Sequence, residues 1–159
     1  MSAIEVRPAR AGEARLLAEQ LAEVAEERDG IATEPPVDID ERTRTFGAGI
    51  DGTLVALLDG RIVGSLHVEA GRFGTGELGM SVLRPFRGRG VGSALLAAAI
   101  EKARADGLHK LSLEVFPHNE AAIALYRKFG FVEEGRRRKQ IRRRSGELWD
   151  TLVMGLLLE

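Results

Sequence analysis

The sequence predicts an α/β fold, a mixed β-sheet with helices on its faces. Short apolar or alternating segments read as strands, and longer ones with apolar residues three and four apart read as helices. Pairs of Gly, Pro and Asp separate them. The resulting order, β-α-α-β-β-β-α-β-α-β-β, interleaves the two types too closely for an all-helical or all-strand layer. A chain of 159 residues suits one domain, residues 1–159, around one hydrophobic core.

Residues 4–7 read as a short strand. Over about residues 11–27, Leu17, Leu21, Val24 and Ala25 form a helical stripe with acidic residues opposite, and Asp29-Gly30 ends it. Glu34-Pro35-Pro36 forces an extended loop, after which Asp38 or Asp40 can cap a second helix reaching about Ala48. Residues 54–58 and 61–68 flank Asp59-Gly60, the mark of a hairpin with a two-residue turn. In residues 77–83, Leu78, Met80 and Val82 alternate with Glu77, Gly79 and Ser81. The helix at 90–105 is apolar around most of its girth, so it is expected to be buried. Residues 109–115 alternate again, with Ser112 and Glu114 opposite Leu111, Leu113 and Val115. A helix at 119–129 closes at Gly130, and residues 131–141 and 148–158 pair as a final hairpin turning near Ser145-Gly146.

Composition removes several classes of function. No cysteine means no disulfide framework, no thiolate metal ligand and no cysteine nucleophile. His67, His109 and His118 have no ligand spacing, so no metal is expected. No run approaches the roughly 18 apolar residues of a membrane span. Met1-Ser2-Ala3-Ile4-Glu5 lacks the apolar stretch of a secretory signal, and a cytoplasmic protein is the expectation. The net charge of −1 hides an asymmetry: residues 1–60 carry 13 acidic and 6 basic side chains, residues 61–159 carry 11 and 17. An acidic half that attracts a cationic substrate and a basic half that attracts an anionic one would explain this, as would ordinary solvated faces.

The chemistry concentrates after the strand at 77–83. Arg87-Gly88-Arg89-Gly90-Val91-Gly92-Ser93 opens a helix, where the first N–H groups lack internal partners and sit at the positive end of the dipole. Glycines let the backbone approach a ligand, and a phosphate suits such a place. The lysine-ending phosphate loop is absent. The dinucleotide fingerprint fails, since Gly88 and Gly90 fit but Ser93 stands at its third glycine. The spacing instead matches [QR]-x-x-G-x-[GA] at Arg87, Gly90 and Gly92, followed by NEAAIALYRKFGF at residues 119–131.

Together these two motifs resemble the GCN5-related N-acetyltransferase (GNAT) superfamily, most closely over residues 77–131. The resemblance implies a GNAT-like mixed sheet whose central strands splay apart, flanked by about four helices. It implies acetyl-coenzyme A as donor, its diphosphate cradled by Arg87, Gly88, Arg89, Gly90, Val91, Gly92 and Ser93. Met80, Ser81 and Val82 would line the pantetheine and acetyl group, and an N–H of that segment would stabilise the developing oxyanion. Tyr126 matches the family's proton donor to the leaving thiolate. Asn119 is placed as a helix N-cap and matches a residue that contacts the cofactor.

An ammonium acceptor must lose a proton before it attacks, so a base or water relay is required. Glu114, five residues before Asn119, stands where ribosomal-protein alanine N-acetyltransferases keep theirs, and Glu77 stands in a region from which other members supply one. The expected reaction is direct transfer of an acetyl group to a primary amine, without a covalent acyl-enzyme. A small molecule (amino acid, polyamine or amine-bearing toxin) is favoured over a protein N-terminus or lysine. Transfer of another short acyl group and a non-catalytic coenzyme A-sensing or partner-binding module are the rivals. The run RRRKQIRRR at 136–144 has seven basic residues among nine. It lacks nearby aromatic partners for stacking, so an exposed strand face or dimer-surface cluster is expected rather than a nucleic-acid groove. The resemblance alone suggests a homodimer as an expectation. Trp149 either lines the acceptor pocket or packs.

Overall fold

The computed structural model describes residues 3–159; Met1 and Ser2, part of the N-terminal stretch expected to carry no secretory signal, lie outside them. The elements are β1 (Glu5–Pro8), a 3-10 turn (Ala11–Glu13) leading into α1 (Ala14–Ala25), α2 (Ile39–Ala48), β2 (Thr53–Leu58), β3 (Arg61–Ala70), β4 (Thr75–Val82), α3 (Val91–Ala105), β5 (Lys110–Val115), α4 (Glu120–Lys128), β6 (Val132–Arg142) and β7 (Leu148–Leu157). The strands form one seven-stranded mixed sheet in the order β1-β2-β3-β4-β5-β7-β6. β4 and β5 run parallel and the other neighbouring pairs run antiparallel. Four α-helices cover it, as the sequence predicts.

Local chemistry explains the element ends. Asp59 and Gly60 both take positive φ, +52° and +77°, the backbone of a type I′ hairpin turn. Of the two possible caps of α2, Asp38 is the one used: its Oδ1 accepts from Glu41 N at 3.1 Å. Asp40 instead faces Arg15 at 3.3 Å. The expected first helix begins as the 3-10 turn, because Glu13 turns back to accept from Arg10 N at 2.7 Å and from both terminal nitrogens of Arg7 at 2.8 Å. The Arg7 hydrogen bonds are the main reason that the Glu13 carboxyl falls to a pKa of about 2, and they tie β1 to the first helix.

Each sheet face has its own apolar layer. Leu95, Leu96, Ala99 and Ile100 of α3 pack on Leu54, Leu66, Leu78, Leu111 and Leu113. On the opposite face Leu17 of α1 meets Val55, Leu57 and Ile62, with Phe46 of α2 beside them. No helix among the described residues is long and apolar enough to cross a membrane.

The sheet departs from regular pairing at the β4–β5 seam, in the last hairpin and, by one register shift, between Ala56 and Leu57 of β2. β4 pairs with β5 only over Thr75–Glu77 against Lys110–Ser112. Beyond that the strands part, and residues 78–82 face 113–115 without a ladder between them. The last hairpin departs from simple alternation, because its register shifts between Arg137 and Ile141 and Lys139 takes φ +53°. The basic run is exposed along β6, as expected, but not throughout. Arg143 is 3% exposed. It donates to the carbonyls of Arg28, Ile31 and Ala32 and lies 4.2 Å from the centre of the Trp149 ring. Arg143 is therefore a buried clamp that holds the α1–α2 loop on the hairpin, which corrects the reading of a wholly exposed face.

Candidate active site

The parting of β4 from β5 opens a cleft of about 990 Å³, walled by α1, α2, the segment after β4, the start of α3, and α4. Its strand edges are unlike any other interior edge of the sheet. The backbone of residues 78–82 on the β5 side has no strand partner, and the Val82 carbonyl accepts from Arg87 Nε at 2.9 Å instead.

Above this edge the glycine loop enters α3. Gly88 and Gly90 take φ +72° and +87°, backbone that L side chains rarely adopt. Gly92 matters for a different reason: a Cβ there would lie 2.9 Å from Leu125 Cδ2 and 3.6 Å from Met80 Cε. A side chain at residue 92 would therefore require Leu125 to shift, where α3, α4 and β4 meet. Ala94 N bonds the Gly90 carbonyl at 3.0 Å, so Val91, Gly92 and Ser93 present N–H groups without intrahelical partners. The result is a concave, electropositive backbone surface at the mouth of the cleft.

The cleft gathers most of the site residues expected from the sequence: Met80, Ser81, Val82, Arg87, Gly88, Gly90, Val91, Gly92, Ser93, Glu114, Asn119 and Tyr126. Two are not among its lining residues. Arg89 points its guanidinium over the Phe86 ring at 5.6 Å. Glu77 is exposed and lies in the last paired position of β4, opposite Glu69 and Ser112, before the strands part. Arg87 is in the cleft wall with its charge already engaged, since both terminal nitrogens bond Glu27 at 2.6 and 2.7 Å.

Tyr126 is 7% exposed, on α4, with its ring tilted against Phe131. Burial pushes its phenol up to about 12, so it stays protonated at neutral pH. Its hydroxyl has no hydrogen-bond partner among the described residues, although every fully buried side-chain polar atom has one, so the hydroxyl reaches the cleft. Asn119 caps α4, its Oδ1 accepting from Ala122 N at 3.3 Å. Across the cleft the Glu114 carboxylate accepts from the buried Thr151 hydroxyl at 2.6 Å, and Arg137 Nε lies 3.8 Å away. These contacts fix its orientation and leave it open to solvent.

Several lining residues were not singled out from the sequence. His67 of β3 stands in register with Gly79 of β4, where the missing side chain leaves open space. The Thr53 hydroxyl donates to the Gly49 carbonyl at 3.1 Å and meets His67 Nδ1 at 3.1 Å. With its one proton given to Gly49, it accepts from Nδ1–H. Arg42 and Phe46, one turn apart on α2, line the same end, and Arg42 donates to Thr33 Oγ1 at 3.0 Å. No spacing marks these residues, because α2, β3 and the loop before α2 meet only through the fold. Trp149 is not in the lining. It packs edge-on to Phe116 and His118 behind Arg143.

Comparison with known proteins gives consistent likenesses. The model of the acetyltransferase (GNAT) family matches residues 23–131. The L-methionine sulfoximine/L-methionine sulfone acetyltransferase of Pseudomonas paraeruginosa is 33% identical over 138 residues, 81% of this chain and 80% of the relative. The L-amino acid N-acetyltransferase AaaT of Escherichia coli is 36% identical over 109 residues, 64% of this chain and 65% of the relative. Among solved structures, the ribosomal-protein-alanine N-acetyltransferase of Brucella melitensis superposes with a TM-score of 0.86 at 30% identity, covering 96% of this chain and 99% of that one.

Proposed function

Because the chain belongs to the acetyltransferase (GNAT) family, we propose that its cleft moves the acetyl group of acetyl-coenzyme A directly onto the primary amine of a small molecule. The observation that carries this reading is that a protonated, unpartnered phenol and an oriented carboxylate line one cleft, beneath a helix N-terminus with free N–H groups. The donor supplies an activated thioester and a diphosphate handle. The chain's residues fit such a group: the surface around Gly88, Gly90 and Gly92 admits a phosphate to backbone distance, and the open edge of residues 78–82 offers partners to an extended arm.

Each residue then has a definite task. The N–H groups of Val91, Gly92 and Ser93 hold the diphosphate. Met80 and Val82 flank the arm, and an N–H of the 80–82 edge meets the negative charge that develops on the thioester oxygen. Glu114 takes the proton that the acceptor ammonium must lose, directly or through water. As the nitrogen–carbon bond forms and the carbon–sulfur bond breaks, Tyr126 gives its proton to the departing thiolate, and the second proton that the nitrogen loses in becoming an amide passes through water to reload the phenol. A phenol pushed up to about 12 is loaded with its proton at every physiological pH. Glu77 lies outside the cleft lining, so Glu114 is the preferred of the two.

The relatives' names favour amino acids among small amines. A cytoplasmic setting and a homodimer belong to the same proposal, the latter checked by light scattering. The direct test is thermal-shift titration with acetyl-coenzyme A followed by free-thiol release over a panel of amines. Stabilisation with thiol release is expected for a subset of small amines. No stabilisation refutes the donor, and stabilisation without release for any amine points to a binding module.

A further inference from the structure

Resting on the acetyl-transfer reading of the cleft, we propose that Arg42 is the residue that selects the acceptor, by holding a carboxylate, so that the substrate is an α-amino acid in its zwitterionic form.

The other basic side chains lining the cleft already have partners, His67 meeting the Thr53 hydroxyl at 3.1 Å. Arg87 pairs with Glu27 at 2.6 Å, and His118 lies 2.9 Å from an oxygen of Asp29. Arg143, just behind the wall, has three carbonyls and Glu34 at 3.7 Å. Arg42 has only the neutral Thr33 hydroxyl, at 3.0 Å, and no carboxylate pairs with it among the described residues. That is unexpected in the acidic half of the chain, where Asp38, Asp40 and Glu41 all precede it closely. Asp38 is occupied as the cap of α2, and Asp40 faces Arg15.

The position of Arg42 does nothing for its own helix. It lies in the opening turn of α2, where a cation opposes the positive end of the dipole. Half-buried beside Phe46 in the cleft wall, it keeps donors free in a surrounding that strengthens any anion it meets. An arginine fork matches a carboxylate with two parallel hydrogen bonds.

The same cleft supplies the opposite charge. Glu114 rises from the sheet and Arg42 descends from the helical layer above it, both into one cleft. A ligand with an ammonium for the first and a carboxylate for the second satisfies both, whereas a polyamine would bring a second cation against Arg42. Thr33, which orients Arg42, belongs to the loop that Arg143 clamps to the last hairpin. The arginine is thus held in place by the same contacts that close this end of the cleft.

The test compares L-amino acids of varied side chain with their carboxamides, which keep shape and amine but lose the charge. In the full-length wild type, kcat/KM for at least one acid is expected to exceed that of its amide by at least about tenfold, the range for a charge-assisted hydrogen-bonded pair. Arg42→Gln is expected to raise KM for the acid by about tenfold to a hundredfold, and to leave KM for the amide and for acetyl-coenzyme A within about twofold. Arg42→Lys should restore part of the preference. Binding of the free amino acid, followed by calorimetry in the absence of acetyl-coenzyme A, should weaken in step. Equal acid and amide constants in the wild type, or an acid preference that survives Arg42→Gln, overturns the assignment. A parallel loss for acid and amide does so too, since it marks a structural role. Arg42-dependent binding of amino acids without thiol release would instead support the carboxylate site and refute acetyl transfer.

Discussion

Replacing Gly90 by alanine separates two accounts of the anion seat, one built on backbone and one on charge. Gly90 precedes the first turn of α3 with φ +87°. A Cβ there would meet only Ile4 Cδ1, at an ordinary 3.7 Å, so crowding adds nothing and the cost is conformational. A non-glycine residue held in left-handed backbone costs about 1–2 kcal/mol. The chain either bears that strain, lowering Tm by roughly 2–8 °C at this size, or escapes it by turning the N–H groups of Val91, Gly92 and Ser93 away. Escape should weaken acetyl-coenzyme A by about tenfold for each 1.4 kcal/mol of lost contact. Arg89→Ala is the counterpart: its exposed guanidinium has a stacking contact with Phe86 and lies outside the cleft, so affinity should fall by no more than about threefold. Titration calorimetry with acetyl-coenzyme A reads both variants. A Gly90→Ala protein that binds as the wild type does, beside an Arg89→Ala protein that does not, would refute the backbone account.

Tyr126→Phe removes one oxygen from a buried ring, so folding and acetyl-coenzyme A affinity should hold while kcat falls about 100-fold or more, as for loss of a general acid; undiminished turnover would reject the assignment. The Glu13 carboxyl, at about 2 in the fold against an ordinary 4.5, stabilises above about pH 4.5 and loses that contribution as pH drops toward 2. The shift is worth about 3 kcal/mol at face value, and partial exposure of the Arg7–Glu13 pair reduces it to about 1–2 kcal/mol. Melting curves from pH 6 to pH 3 should therefore decline less steeply in Arg7→Gln than in the wild type. Arg143→Met deprives three carbonyls and Glu34 of their donor and should cost about 3 kcal/mol, a fall in Tm of roughly 6–12 °C. An unchanged Tm would mean that the α1–α2 loop is held by other contacts.

Local chemistry was legible in the sequence where one segment carries its own instructions. Asp59-Gly60 dictates its hairpin, the girdle of apolar residues on α3 dictates its burial, and the spacing of Arg87, Gly90 and Gly92 marks the loop. The alternation that separates Ser112 and Glu114 from Leu111 and Leu113 already points Glu114 away from the core. What was not legible depends on register between distant strands. His67 reaches the cleft because β3 sets it opposite Gly79, and Glu77 misses it because the β4–β5 ladder ends only at that residue. Arg143 reads as one cation among seven in a basic run, yet a bulge after Arg137 and the turn beyond bring it under a loop more than a hundred residues earlier.

The unpaired edge of β4 has an energetic consequence. Backbone groups cut off from both strand and solvent would each cost about 1–3 kcal/mol, so the edge of residues 78–82 must remain wet while the cleft is open. On the proposed reading, an extended donor arm with amide groups of its own would complete the ladder that β5 abandons, and the water would leave as it does so. Binding and completion of the sheet are then one event, and protection should appear at the edge rather than across the sheet. Hydrogen exchange at Leu78, Met80 and Val82, whose N–H groups face away from β3, is expected to slow at least about tenfold with saturating acetyl-coenzyme A, since ligand at 100 times Kd closes a coupled opening by up to about 2.7 kcal/mol. Exchange in β2 and β3, already paired on both sides, should change little apart from any rise in global stability. Slowing confined to the start of α3, with none along residues 78–82, would mean that the arm takes another route through the molecule and that the parted strands serve only to admit the acceptor.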